Sequence, residues 1–508
     1  MRRLSISLIV VGLALGICTL PASATPTAAD QTTAAQTTAQ SCATSDSATF
    51  DNATFDTGPA TAALHRLIGD KADQIELRAT ARSGAGDSFA ICADGKRPVI
   101  AGTSNATLLT GANYYLKNVV HAGITSNGDA TAHLPRQLPT PSNPIAQSTP
   151  FANRFDGNDT MSGYTGPYWT WDQWQHEIDV LAANGINEML VYPGQALVYY
   201  DVFKRFGYTD AELRDWIPQP GHQPWWLLQN MSTFDEPIST TLLQQQAELG
   251  RKIADRLRSL GMTPVLPGYY GTVPPNFPAK NPGAHIVPQG DWVGFTRPDW
   301  LDPRDSHFAP VASAFYADQR RLFGDSSMYK MDLLHEGGQA GDVPVGDAAH
   351  AVQTALETAH PGATWAILGW QSNPQPALLA GVDKSKMLIV DGLSDRYQGL
   401  NREQQWSGTP YAFGTIWNFG GHTTIGANLT TWAAEFPSWA SKPGSALAGI
   451  ALMPEANDNN PAAFAFFTEL AWHPTGVNPS TWFADYATWR YGGADKNAQA
   501  AWQTILST

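Results

Sequence analysis

From residue 151 onward, short apolar runs alternate with longer stretches in which apolar residues recur at helical spacing. The runs lie at 153–155, 187–192, 263–267, 329–334, 364–369, 387–390, 413–417 and 449–453. Eight strand-like runs, mostly with helical pattern between them, predict an α/β fold: a (β/α)8 TIM-type barrel over 151–474. Two of its helices are signposted. Thr170-Trp171-Asp172-Gln173 has capping-box spacing, and Asn184-Gly185 stops that helix just before a strand. Leu242, Leu249, Ile253, Leu257 and Leu260 keep one apolar stripe, Gly261 ends it, and the next strand follows at once. The apolar residues of these stripes are read as barrel packing.

Upstream the pattern is mixed. Helical spacing at 60–68 and 106–120, with strand-like alternation at 74–80 and 88–93, predicts a small α+β domain over 48–133. Five prolines in 134–150 predict a semi-rigid linker. Downstream, a helix from about 461 to 472 closes the barrel, and 481–491 and 494–506 read as the opening helices of an all-α region over 475–508.

The first 24 residues change the picture of where the protein works. Two arginines, an apolar run from about Leu4 to Leu20 and Ala22-Ser23-Ala24 are the three parts of a cleavable export signal. A Thr-, Ala- and Gln-rich spacer over 25–47 follows, without the basic cluster of a retained anchor. The expectation is a secreted protein with no membrane segment in its mature form. Of three cysteines, Cys18 leaves with the signal, so Cys42 and Cys92 are free to pair in an oxidising compartment.

Composition narrows the ligand. The 508 residues carry a net charge of −14, and only 15% are charged, against about 25% in an average soluble chain. An acidic chain without a basic block lacks the patch that nucleic acid or an anionic membrane requires. Eighteen Trp, 20 Phe and 16 Tyr suit instead an uncharged ligand with flat apolar faces, such as a sugar.

In a barrel of this type the chemistry sits at the carboxyl ends of the strands. Read in order, those positions give Asn158, Gly194-Gln195, Tyr269-Tyr270, His335-Glu336-Gly337-Gly338, Trp370-Gln371, Asp391, Asn418 to His422 and Glu455-Ala456-Asn457. Glu336 and Glu455 each terminate a strongly apolar run. A lone glutamate there more often caps a helix or pairs with arginine; two on one barrel face, with Trp370 and Asn418 beside them, point to paired-carboxylate chemistry such as glycoside hydrolysis. The sequence holds no HExxH, no H-x-H pair, no G-x-S-x-G elbow, no P-loop and no GxGxxG, so no metal or cofactor is expected.

Several of these segments together carry a resemblance. The stretch at 168–195, GMTPVLPGYYG at 261–271, HEGG at 335–338, LGWQ at 368–371, WNFGG at 417–421 and MPE at 453–455 resemble, in order and with sensible spacing, the α-N-acetylglucosaminidase family of glycoside hydrolases. The resemblance implies a small N-terminal domain, a catalytic barrel and a helical C-terminal domain, longer in the family than the start matched by 475–508. It places the general acid/base on Glu336 and the nucleophile on Glu455, with Asn158, Gln195, Trp225, Trp292, Trp370 and Asn418 on or beside the sugar pocket. Trp226 is the alternative to Trp225, and a packed core aromatic is the competing reading for each tryptophan. His335 stands where animal relatives have Asn, placed to bond the sugar or to perturb Glu336. The implied reaction is retaining removal of terminal α-linked N-acetylglucosamine from a glycan, with a protein nucleophile. The alternatives are a non-hydrolytic carbohydrate-binding remnant and a glycosidase with another sugar preference. Oligomeric state has no signature in the sequence.

Overall fold

In the computed structural model the described residues are 55–507, apart from 83, 85, 397–401, 423–426 and 458. The export signal, the spacer and Cys42 lie outside them. Cys92 is disulfide-bonded.

The N-terminal module is a four-stranded sheet in the order β1-β3-β2-β4, from β1 (Glu76–Ala79), β2 (Ser88–Asp94), β3 (Arg97–Gly102) and β4 (Ile145–Ser148). The helices Gly58–Ile68 and Asn105–Tyr115 accompany it. β4 corrects the reading of 134–150 as linker throughout. Between Pro144 and Pro150 the chain offers Ile145 to Ser148 without a proline, and that piece pairs antiparallel with β2.

The module is fastened to the barrel by Arg154, which is 2% exposed and stands on β5 (Asn153–Asp156). Its guanidinium donates to Asp87 Oδ2 at 2.5 Å, to the Gly185 carbonyl at 2.6 Å and to that of Phe151 at 2.8 Å. Burial drives the Asp87 carboxyl upward, but Arg154, the Thr103 hydroxyl and the charge of Arg82 together outweigh it and hold the group below its ordinary range.

After β5 the chain continues through β6 (Glu188–Leu190) and β7 (Thr263–Pro267). Five short strands follow: β8 (Thr272–Val273), β9 (Ile286–Val287), β10 (Asp291–Trp292), β11 (Phe295–Thr296) and β12 (Asp299–Leu301). β13 (Met328–Lys330), β14 (Thr364–Gly369), β15 (Met387–Asp391), β16 (Tyr411–Thr415) and β17 (Leu447–Leu452) complete the set. β13 to β17, then β5, β6 and β7, form a closed, all-parallel barrel of eight strands. Inside it pack Phe155, Leu190, Val265, Leu368, Val390 and Ala451 with their neighbours, so the barrel is a filled core. A second, larger apolar layer lies between strands and helices.

The capping box at Thr170 forms, with the Thr170 N–H donating to Gln173 Oε1 at 2.9 Å, and the helix Trp171–Ala183 follows. The helix Thr240–Ser259 ends before Gly261, whose φ of 74° is the left-handed turn into β7. After β17 come the helices Pro461–Glu469, Pro479–Tyr491 and Lys496–Leu506.

Candidate active site

The carboxyl ends of the strands surround a cleft of about 170 Å³. Glu336 and Glu455 both line it, with Trp292, Trp370, Trp225 and Tyr164 among its walls. Neither Lys nor Arg is among the described residues that line it.

Glu336 follows β13 and is held by two indoles. Trp370 Nε1 donates to Oε1 at 2.7 Å and Trp292 Nε1 to Oε2 at 3.1 Å. One donor stands on β10 and the other just past β14, so the carboxylate is aimed rather than left to rotate. The backbone of Glu336 has a φ of 27°, a conformation an L-residue keeps only when its surroundings impose it. Arg297 supplies that constraint, donating to the Glu336 carbonyl and, at 3.1 Å, to the carbonyl of His335.

His335 is buried, with Nδ1 2.7 Å from Asp332 Oδ2 and Nε2 3.9 Å from Glu336 Oε2. Burial pushes the Asp332 carboxyl upward. The His335 hydrogen bond, the Lys330 charge and the Leu368 N–H outweigh it and hold Asp332 below the ordinary range. An ionised Asp332 only accepts, which puts a proton on Nδ1 and leaves Nε2 on the cleft side.

Glu455 follows β17. Its N–H donates to the Trp417 carbonyl at 3.0 Å, and its Oε2 accepts from the Gly420 N–H at 2.5 Å. Gly420 has a φ of 66° in the turn Phe419–Gly421, and that turn carries the amide to the carboxylate. Burial raises the Glu455 carboxyl above its ordinary value, the Gly420 N–H opposes this, and the charge of Glu336 adds to the rise. The two carboxylates therefore sense one another across the cleft.

Beneath them lies an ion pair that the sequence reading missed. Lys330 Nζ stands 2.5 Å from both oxygens of Asp159, and Tyr192 donates to Asp159 Oδ1 at 2.5 Å. Asp159 lines the cleft while Lys330 is buried behind it. A lysine in the apolar run at 328–334 was the available signal, because a buried ammonium demands a counter-ion. Asn230 was also missed. It lines the cleft, and its Nδ2 is buried without a hydrogen-bond partner. No pattern around 230 announced it.

The remaining expected residues divide. Trp292, Trp370 and His335 line the cleft, as does Trp225, edge-on to Tyr164 at 5.0 Å; Trp226 is buried behind. Asn158 is on the wall with its amide engaged. Its Nδ2 donates to the Met453 carbonyl at 3.0 Å, and its Oδ1 accepts from Thr160 N and Oγ1 at 2.8 Å each, so it ties the end of β5 to that of β17.

Two expected residues are not among those that line the cleft. Gln195 is 0% exposed and faces the barrel wall, where Gln319 donates to its Oε1 at 2.8 Å; Gly194, at a φ of 86°, turns the chain so that Gln195 begins a buried helix. Asn418 is 2% exposed and lines a separate groove of about 870 Å³ with Trp417, Phe419 and Trp502. Its Nδ2 donates to the His422 carbonyl at 2.9 Å, which shapes the turn that presents Gly420 to Glu455.

Known proteins resemble this chain in sequence and fold. Residues 154–474 match the family model described as the alpha-N-acetylglucosaminidase (NAGLU) tim-barrel domain, and 58–140 match the N-terminal domain model of the same family. Alpha-N-acetylglucosaminidase of Homo sapiens is 27% identical over 466 residues, which cover 88% of this chain and 62% of that protein. The family 89 glycoside hydrolase of Clostridium perfringens in complex with 2-acetamido-1,2-dideoxynojirmycin superposes with a TM-score of 0.85 at 32% identity, covering 88% of this chain and 52% of its own. The structure of the Clostridium perfringens protein in complex with its substrate GlcNAc-alpha-1,4-galactose gives 0.84 at 32% identity, with the same coverage. The chain thus spans between half and two thirds of the length of these relatives. An N-acetyl-beta-hexosaminidase of Streptomyces plicatus, 12% identical with a TM-score of 0.51, shares the fold alone.

Proposed function

Because the chain belongs to the α-N-acetylglucosaminidase family, glycoside hydrolase family 89, we propose that it is a secreted, retaining exo-glycosidase that releases terminal α-linked N-acetylglucosamine from glycans. The observation that carries this reading is the convergence of Glu336 and Glu455 on one aromatic-walled cleft from strands β13 and β17. The Clostridium perfringens relative's complex with a GlcNAc-α-linked disaccharide supports the sugar and the linkage. The export signal read at residues 1–24 supports secretion.

Stereochemistry calls for a protein nucleophile. In an α-glucosaminide the 2-acetamido group lies on the same side as the departing oxygen, so it has no path to attack the anomeric carbon from behind. Glu455 takes that part: its carboxylate forms a bond to the anomeric carbon as the bond to the glycosidic oxygen breaks, and Glu336 gives its proton to that oxygen. In the second step Glu336 takes a proton from water, whose oxygen displaces Glu455 and restores the α-configuration. The indoles of Trp292 and Trp370 keep Glu336 aimed through both steps, and the Gly420 N–H steadies the negative charge that Glu455 regains on departure.

A chromogenic α-N-acetylglucosaminide tests the reading. The folded protein should release the chromophore, and Glu455→Ala should remove several orders of magnitude in rate. No release, or undiminished release by the variant, defeats it. Binding of N-acetylglucosamine without turnover selects the carbohydrate-binding alternative. Secretion is tested by the mature amino terminus, expected at Thr25.

A further inference from the structure

The hairpin that carries Trp292 ends in a residue its turn does not favour. β10 and β11 pair Asp291 with Thr296 and Trp292 with Phe295, leaving Val293 and Gly294 as a two-residue turn with φ of 42° and 92°. Turns with both central residues at positive φ are the province of Asn, Asp and Gly, because a β-branched side chain crowds the backbone there. Gly294 suits the turn and Val293 opposes it. Packing does not compensate, for Val293 is 77% exposed, the highest value of any large hydrophobic among the described residues.

The hairpin is braced on every side. Just before it, the Gln289 side chain engages both backbone groups of Gln339, donating to its carbonyl and accepting from its N–H at 2.8 Å each. Just after it, Arg297 donates to the carbonyls of His335 and Glu336. The Ser232 N–H donates to the Thr296 carbonyl at 2.9 Å, and Phe295 meets Phe234 edge-on at 5.2 Å. The hairpin and the loop 335–339 therefore form one body, with Val293 held at a set position relative to the Glu336 carboxylate.

A general acid must stand beside the oxygen it protonates, so the rim outside Glu336 is where a leaving group lies. Val293 directly follows Trp292, which lines the cleft and donates to Glu336, so the strained turn stands beside the acid, and strain kept next to a site points to function. We infer that the Trp292–Val293 tip is a leaving-group subsite that takes the apolar face of a neutral pyranose; this rests on Glu336 being the acid, as proposed above. The lining of the cleft argues for neutrality. It carries Asp159, Glu336 and Glu455 with no Lys or Arg, Asp291 is exposed at the base of the hairpin, and Arg297 is buried and given over to backbone carbonyls. Among the described residues that line the cleft, a sulfated or carboxylated leaving sugar meets no free cation.

The test compares Val293→Asn and Val293→Gly, which ease the turn, with the unaltered protein on two substrates. One is N-acetyl-α-glucosaminyl fluoride, whose single-atom leaving group does not reach the tip. The other is an α-linked N-acetylglucosaminyl disaccharide with a neutral second sugar. Both variants should lose roughly tenfold in kcat/KM on the disaccharide, keep their rate on the fluoride and unfold at no lower temperature. Equal effects on the two substrates, or no effect on either, overturn the inference. A turnover-free arm uses calorimetry in a Glu455→Gln background, where Val293→Asn should weaken disaccharide binding and leave N-acetylglucosamine binding as it was; unchanged disaccharide binding overturns the subsite. An unaltered protein that binds the disaccharide yet cleaves neither substrate overturns the hydrolase reading instead.

Discussion

Lys330 Nζ stands 2.5 Å from both carboxylate oxygens of Asp159, although 171 residues separate the two in the chain. Each side chain is almost fully buried, and Tyr192 adds a third contact to the carboxylate. Removing one partner leaves a buried charge uncompensated. Lys330→Met should therefore destabilise the protein by about 3–5 kcal/mol, read as a fall in the urea midpoint. Lys330→Met with Asp159→Asn should lose less than the two single changes summed, and a double-mutant cycle measures the difference.

Asn230 places a buried, unpartnered Nδ2 on the cleft, and an amide donor kept waiting in that way is suited to a sugar oxygen. Asn230→Ala should raise KM for an α-N-acetylglucosaminide by about tenfold, the worth of one neutral hydrogen bond, with little change in unfolding temperature. A thermal shift without a KM change would assign Asn230 to the fold.

Glu455 has a carboxyl raised from its ordinary value of 4.5 by burial and by the charge of Glu336, against the pull of the Gly420 N–H. A nucleophile works only when ionised. As pH falls through that raised value, kcat/KM should drop, so the acid limb of the profile lies above 4.5. On the fluoride substrate, which has little need of a proton donor, the limb should stay above 4.5 after Glu336→Gln, because burial is the first cause of the rise and a general acid is already neutral where the nucleophile ionises.

Stability has its own pH dependence. Burial pushes the Asp156 carboxyl up to about 7 and that of Glu188 up to about 8, and each has an oxygen without a hydrogen-bond partner. In the unfolded chain both return to their ordinary 3.8 and 4.5. Between those limits the folded state holds protons that the unfolded state releases. Stability should thus be fully present below about pH 4 for these two groups and decline as pH rises to about 8. Each tenfold difference in proton affinity is worth about 1.4 kcal/mol. Melting curves at pH 5 and pH 8 should show the lower midpoint at pH 8, and Asp156→Asn with Glu188→Gln should narrow the gap.

Legibility in the sequence followed the range of the forces involved. The strand runs at 263–267 and 364–369 coincide with β7 and β14, because burial on both faces writes itself into consecutive apolar residues. Glu336 and Glu455 could be picked out because each interrupts such a run. What the sequence hid was direction and distance. Gln195 follows its strand as a pocket residue should, yet the left-handed turn at Gly194 rolls it into the wall. The amide that grips Glu455 belongs to Gly420, and a backbone N–H has no residue type to announce it. β4 was concealed by the prolines on either side of it, which advertise a linker while four of the five residues between them join a sheet.

The seam at Arg154 bears on how the protein can be divided. One guanidinium is shared among Asp87 in the N-terminal sheet, Phe151 ahead of the barrel and Gly185 beyond its first helix. A fragment started at residue 151 strips that cation of Asp87, the carboxylate that ion-pairs with it among the described residues. The smallest autonomous piece is therefore module and barrel together: the leading domain is a keystone for the first barrel strand, and trimming it for convenience invites insoluble protein.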